Sequence, residues 1–315
     1  MSREMFLNSI DPTYFRYIAC SHEAHLESDD SLNAAVALRI AYSHSIESLF
    51  ALIGAAVQAP HCPEGWLLRY QNPDLKELLK KIGERTGFSN HLGLTDAGWH
   101  EVANILLPSI SAGDGGDELR HASARLWESL AGDILDDNFA DEYNSLKHGF
   151  RVRSGDWFLR IGREDVPGTA PPPERMRTMA SSQFGSNFLR AVRLKKYQWR
   201  LEEQRVNWDP SVLAKRIILV ADSIQNVLTY LKCVNDNSIK VIDVCIFDQS
   251  AVTEALHSQN HSSSVRFSVR RPIDPDAVPS LTKEEILADY VRAPELPSDP
   301  HQAEEGRNAD RLTTE

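Results

Sequence analysis

From Leu32 to Gln58 the chain carries apolar side chains on nearly every side of a helical wheel, and no proline interrupts it before Pro60. Val36, Ile40, Phe50 and Ile53 fall on one side, and Leu38, Leu49, Leu52 and Ala56 on the other. A helix at a protein surface needs a polar stripe; one that is apolar all round must be enclosed by other helices. This segment therefore predicts a helical bundle built around itself. Its polar exceptions include Arg39, Ser43, His44 and Glu47. An unpaired carboxylate inside a bundle is costly, so Glu47 should have a partner: Asn144, Lys147 or His148 across a helix seam, or a structural pair with Arg39 or another core polar group.

Further helices follow. Asn72-Pro73 opens one over Asp74 to Arg85, with Leu75, Leu78, Leu79 and Ile82 as its stripe. Thr95 caps another over about 96–107, stopped by Pro108. The SAGDGG stretch from Ser111 reads as a flexible connector. From Asp117 the periodicity of Leu126, Leu130, Ile134, Phe139, Tyr143 and Leu146 predicts one long helix to about His148. Residues 1–149 thus read as a bundle of four main helices.

At Gly149 the period changes. Phe150–Arg153, then Ser154-Gly155-Asp156, then Trp157–Ile161 predicts a β-hairpin. Val166–Pro173 is a proline-rich loop, and residues 184–206 favour strand. Asp209-Pro210 is a helix start, cap then proline, and the helix should run to about Cys233. Ile239–Phe247 and Val265–Val269 read as strands. The expected fold class is mainly α: an N-terminal helical bundle at 1–149, then a smaller mixed α/β region at 150–292. A polar, acidic tail at 293–315 is expected to be disordered.

Charge is distributed unevenly. Residues 1–150 carry 11 basic and 22 acidic side chains, 151–216 carry 14 and 7, and 217–315 carry 9 and 16. The basic middle suits an anionic partner, while a net charge of -11 argues against indiscriminate coating of nucleic acid. Cys20, Cys62, Cys233 and Cys245 form no CxxC pair and show neither a disulfide framework nor zinc spacing. The N-terminus lacks a signal-peptide core, and the most apolar run, Leu49–Val57, is too short to span a bilayer. The expected setting is cytoplasmic, with no membrane partner and no cofactor. His22/His25 and His257/His261 have metal-like spacing but no evident further ligand, so no metal is expected. No P-loop, GxSxG or dinucleotide fingerprint is present.

The best candidate site is Asp141-Glu-Tyr-Asn-Ser-Leu-Lys-His-Gly149. With Leu146 at zero on the wheel, Asn144, His148 and Asp141 fall at about 160°, 200° and 220°, opposite the apolar stripe. Asn144 and His148 are four residues apart and can touch. An imidazole of ordinary pKa moves protons near neutral pH, and an amide with nearby cations can hold a phosphate. These are the parts for metal-independent RNA cleavage: catalytic His148, Asn144 and Lys147, with Glu47, His44 and Asp141 in support. The plainer reading is a helix end, with cations against the dipole and glycine at the stop. Arg151 and Arg153 follow directly. Arg193, Lys195 and Lys196 with Trp199, beside Arg190, Tyr197, Arg200 and Arg205, could track a phosphate backbone or form a solvated edge strand.

The long apolar helix, the helix ending in Asn-x-x-Lys-His-Gly and the bundle together resemble the HEPN superfamily over residues 30–150. That resemblance implies a helical bundle, commonly dimeric, and for many members an RNase in bacterial defence or toxin–antitoxin systems. The family motif is an arginine, a polar residue, then a histidine. His148 matches the histidine and Asn144 the polar residue; Tyr143 stands where the arginine would be, and Lys147 is the nearest cation. The implied partners are RNA, a second copy of the chain, or another protein bound by a relative that does not cleave.

Overall fold

The computed structural model describes residues 3–91, 93, 95–107, 115–147, 152–155, 157–166, 168–169, 171–195, 198–236, 244–257 and 264–269. The protein is mainly α. Its helices are α1 (Arg3–Ser9), α2 (Thr13–Glu23), α3 (Ser31–Gln58), α4 (Pro63–Arg69), α5 (Asn72–Gly83), α6 (Trp99–Leu106), α7 (Gly116–Leu135), α8 (Asp137–Lys147), α9 (Pro210–Asn235) and α10 (Gln249–His257). The strands are β1 (Val152–Ser154), β2 (Trp157–Ile161), β3 (Arg177–Ser182), β4 (Gly185–Lys195), β5 (Gln198–Asn207) and β6 (Ser264–Val269).

The expected central helix is α3. It packs most extensively against α9, and Leu38, Ile46, Leu49 and Ile53 of one meet the same core as Ile217, Val220 and Leu228 of the other. Both are long and apolar enough to cross a membrane, but both are mostly buried within the fold, as core helices are. Burying these side chains contributes roughly 1.5–3 kcal/mol each, which is what holds so apolar a helix out of water. The start of α9 is as read: Asp209 accepts from the backbone N–H of Ser211 at 2.9 Å, and Pro210 fills the first turn, where no N–H is needed.

Several expectations change. The long helix from Asp117 is two helices, broken at Asp136, whose backbone is extended (φ -72°, ψ 119°). Its carboxylate accepts from Asn138 N at 2.9 Å and so caps α8, a local bond that competes with helix continuation. The predicted hairpin of 150–161 does not form. Gly155, at φ 143°, sends the two strands apart: β1 pairs antiparallel with β4 (Val152↔Phe188), and β2 with β3 (Trp157↔Ser182). The larger sheet has order β1-β4-β5-β6. The polar first 30 residues contain α1 and α2, and α2 closes over α3 and α9. Within 239–247, residues 244–247 are in neither helix nor strand, and the remainder lies outside the described residues, as does the tail at 293–315.

One compact unit comprises 1–190 with 203–267, and the other comprises 191–202 with 268–315. The region after 150 contributes α9, and with it half of the central helix pair, to the first unit's core.

Candidate functional site

Three faces of α8 have three fates. Glu142, Ser145 and Leu146 are buried; Tyr143 and Asp141 are partly buried; Asn144 and Lys147 are exposed. Asn144 and Lys147, three residues apart, therefore present an amide and an ammonium at the helix end; the wheel placed Asn144 outward, with Asp141 and His148, and Lys147 to the side. His148, the next residue, lies outside the described residues, as do Arg151 and Lys196. Arg153 is exposed on β1; Arg193 and Lys195 fall on β4, and Trp199 on β5, within the second unit's residues.

Asp141 is partly exposed but already paired. Its carboxylate takes Arg190 Nε of β4 at 2.8 Å, while Arg190 Nη1 donates to Asn138 Oδ1 at 2.9 Å. Burial holds the Asp141 carboxyl above the usual range, and Arg190 opposes this. Arg190, read as a phosphate-tracking residue, instead ties the sheet to α8.

Glu47 meets neither Asn144, Lys147 nor Arg39. Its charge bears instead on Tyr143 and on Tyr70, which follows α4. Burial first, then the Glu47 charge and hydrogen bond, push the Tyr143 phenol up to about 12. Tyr70 stacks on Trp66 with ring centroids 4.9 Å apart and planes within 12°. Trp66 is anchored from behind by Gln58, which accepts from its Nε1 at 2.9 Å. Lys147 Nζ stands 5.9 Å from the Tyr143 ring centroid. So a carboxylate, two half-buried phenols and an ammonium share the α3–α4–α8 seam. His44 is not part of it: it is exposed, and its ring meets Phe15 edge-on at 5.3 Å.

A second constellation lies deeper and was not read from the sequence. Arg39 Nη2 reaches Glu142 Oε2 at 2.5 Å, and both side chains are nearly inaccessible. Glu142 Oε1 also accepts from Ser186 Oγ and, at 3.1 Å, from Trp208 Nε1. Beside it the Tyr42 hydroxyl donates to Asp133, and Arg216 Nη1 lies 3.6 Å from the same carboxylate. Burial works against the Arg39 charge, but Glu142 together with Asp133 and Tyr42 outweighs it and the guanidinium pKa is raised. Tyr42 is pushed up, by burial first and then by Asp133. Every one of these groups has its partner inside the protein, so the network joins α3, α7, α8, β4 and α9. The available signal was the wheel itself: Glu142 lies about 40° from Leu146, on the apolar side.

Of the histidine pairs, His25 Nδ1 lies 2.7 Å from the Ser21 carbonyl in a helical turn, and His261 lies outside the described residues. Among the described residues no three His, Cys, Asp or Glu side chains are grouped to hold a metal ion. No family model, curated protein or solved structure matches the chain.

Proposed function

We propose that the chain is an HEPN-like helical module, an N-terminal bundle with a smaller mixed α/β region, that recognises RNA or a nucleotide through the end of α8 without cleaving it. One observation carries this reading. Tyr143, partly buried on α8, stands where the family's arginine would be, and it carries no positive charge. The motif's fixed cation is thereby absent, which leaves developing phosphate charge without that donor. Asn144 and Lys147 remain exposed for phosphate contact.

A second reading, metal-independent endoribonuclease of the defence or toxin type, is favoured by that same exposure, immediately before His148. In it, His148 would be the general acid–base, Asn144 and Lys147 would bind the scissile phosphate, and Arg151 and Arg153 would guide the RNA. The proposal extends to a homodimer in the cytoplasm; four free thiols fit a reducing compartment.

The two readings separate in one experiment. Purified protein is incubated with labelled RNA in chelator beside His148→Ala. Cleavage lost in the variant establishes the nuclease; equal cleavage by both, or none by either, removes it. Retardation of the RNA that weakens in Lys147→Ala and Asn144→Ala then supports recognition alone, and no retardation removes that reading too.

A further inference from the structure

We propose that His100 of α6 and His121 of α7 form a two-histidine site for a divalent transition-metal ion, bound through both Nε2 atoms and fastening the two helices together. The site lies on helices other than α8 and does not depend on the reading of the α8 end.

The two rings stand with centroids 4.6 Å apart and planes at 63°. An ion bound at about 2.0–2.1 Å from Nε2 lies about 3.2 Å from the centre of its imidazole. Two imidazoles at a right angle around one ion therefore have centres about 4.5 Å apart, and at the tetrahedral angle about 5.2 Å. The spacing of His100 and His121 fits the right angle, which belongs to the square or octahedral spheres of Cu(II) and Ni(II). Imidazole is a preferred ligand of these ions, whereas Mg(II) and Ca(II) take oxygen.

Each ring is also held at its other nitrogen, as metal-binding histidines are. His121 Nδ1 donates to the Asp117 carbonyl at 2.8 Å, which leaves the Nε2 lone pair free to bind. His100 Nδ1 lies 3.1 Å from the side-chain amide of Asn104. Turning that amide over puts its oxygen in the same place, where it accepts from Nδ1–H and frees Nε2 in the same way. Arg120, next to His121, donates to the Asp117 carboxylate and, at 3.2 Å, to the Leu107 carbonyl, so its charge is matched and offers the ion little repulsion. His121 is exposed and His100 partly buried, which lets an ion reach the pair from solvent. Among the described residues no third His, Cys, Asp or Glu joins them, so water fills the other positions around the ion.

The test uses the full chain without an affinity tag, stripped with chelator and titrated with NiCl2 by calorimetry, with MgCl2 as the oxygen-seeking control. Ni(II) should bind and Mg(II) should not. His100→Ala and His121→Ala, checked for folding by circular dichroism, should each weaken Ni(II) binding at least ten-fold. Ni(II) should raise the melting temperature of the wild type and of neither variant. In the Cu(II) form, nitrogen couplings in pulsed electron paramagnetic resonance should count two imidazoles in the wild type and one in each variant. No Ni(II) binding, or a loss smaller than ten-fold in either folded variant, overturns the inference. An unchanged imidazole count in a variant overturns it as well. Should an alanine variant not fold, the same quantities are read on His100→Gln and His121→Gln, with the same outcomes deciding.

Discussion

Arg39 of α3 and Glu142 of α8 form a charge pair inside the bundle, with Nη2 and Oε2 2.5 Å apart and the carboxylate 1% exposed. The same carboxylate takes the Ser186 hydroxyl of β4 and the Trp208 indole N–H that precedes α9. One side chain thus fastens the last helix of the N-terminal half to the central helix and to the following region.

Removing half of such a pair leaves the other charge buried and unmatched. Glu142→Ala should destabilise the protein by about 3–5 kcal/mol, measured as a lower urea midpoint at unchanged slope. Replacing both Arg39 and Glu142 by leucine should recover only part of this, because Ser186 and Trp208 would still lack their acceptor. A loss under about 1 kcal/mol in Glu142→Ala would contradict the pairing.

The Tyr143 phenol should ionise near 12 in the folded protein, against an ordinary 10, in an ultraviolet titration. Glu47→Gln should bring that midpoint down, since it removes the neighbouring charge. The pH sign follows. The folded state favours the protonated phenol, so its contribution to stability is complete below the unfolded value, about 10. It is lost as pH rises toward 12. A Tyr143→Phe variant should therefore lose less stability than wild type over that alkaline window.

Gly54→Ala should displace the indole stack. A methyl there would come within 2.6 Å of Trp66 Cζ2, and α3 is held at this level because Ala51–Ile53 and Ala55–Val57 on either side are buried. The expected cost is about 1–3 kcal/mol, with a changed tryptophan fluorescence maximum. An unchanged spectrum and melting temperature would show that the ring accommodates the methyl freely.

Asp209→Ala should destabilise by about 1 kcal/mol, because the Ser211 N–H at the start of α9 loses its acceptor. Asp209→Ser should restore most of that loss, since a hydroxyl can fill the same position. Thermal melts of the three proteins decide it; an equal loss in both variants would place the effect elsewhere.

The sequence determined those elements whose cause is local or periodic. The all-round apolarity of 32–58 demanded a buried helix, and Asp209-Pro210 marked the start of its partner. The outward aim of Asn144 followed from 3.6 residues per turn. The break at Asp136 was hidden because apolar periodicity ran across it, although the Asp-Asp-Asn cluster was a cap signal in plain view. Only the tertiary structure decided which strand pairs with β1, that α9 enters the N-terminal core, and that Glu142 meets Arg39. It also decided that Glu47 faces a tyrosine rather than a cation. These are contacts between residues distant along the chain. A wheel gives the angle at which a side chain leaves its helix, but not what stands opposite, and packing alone supplies that.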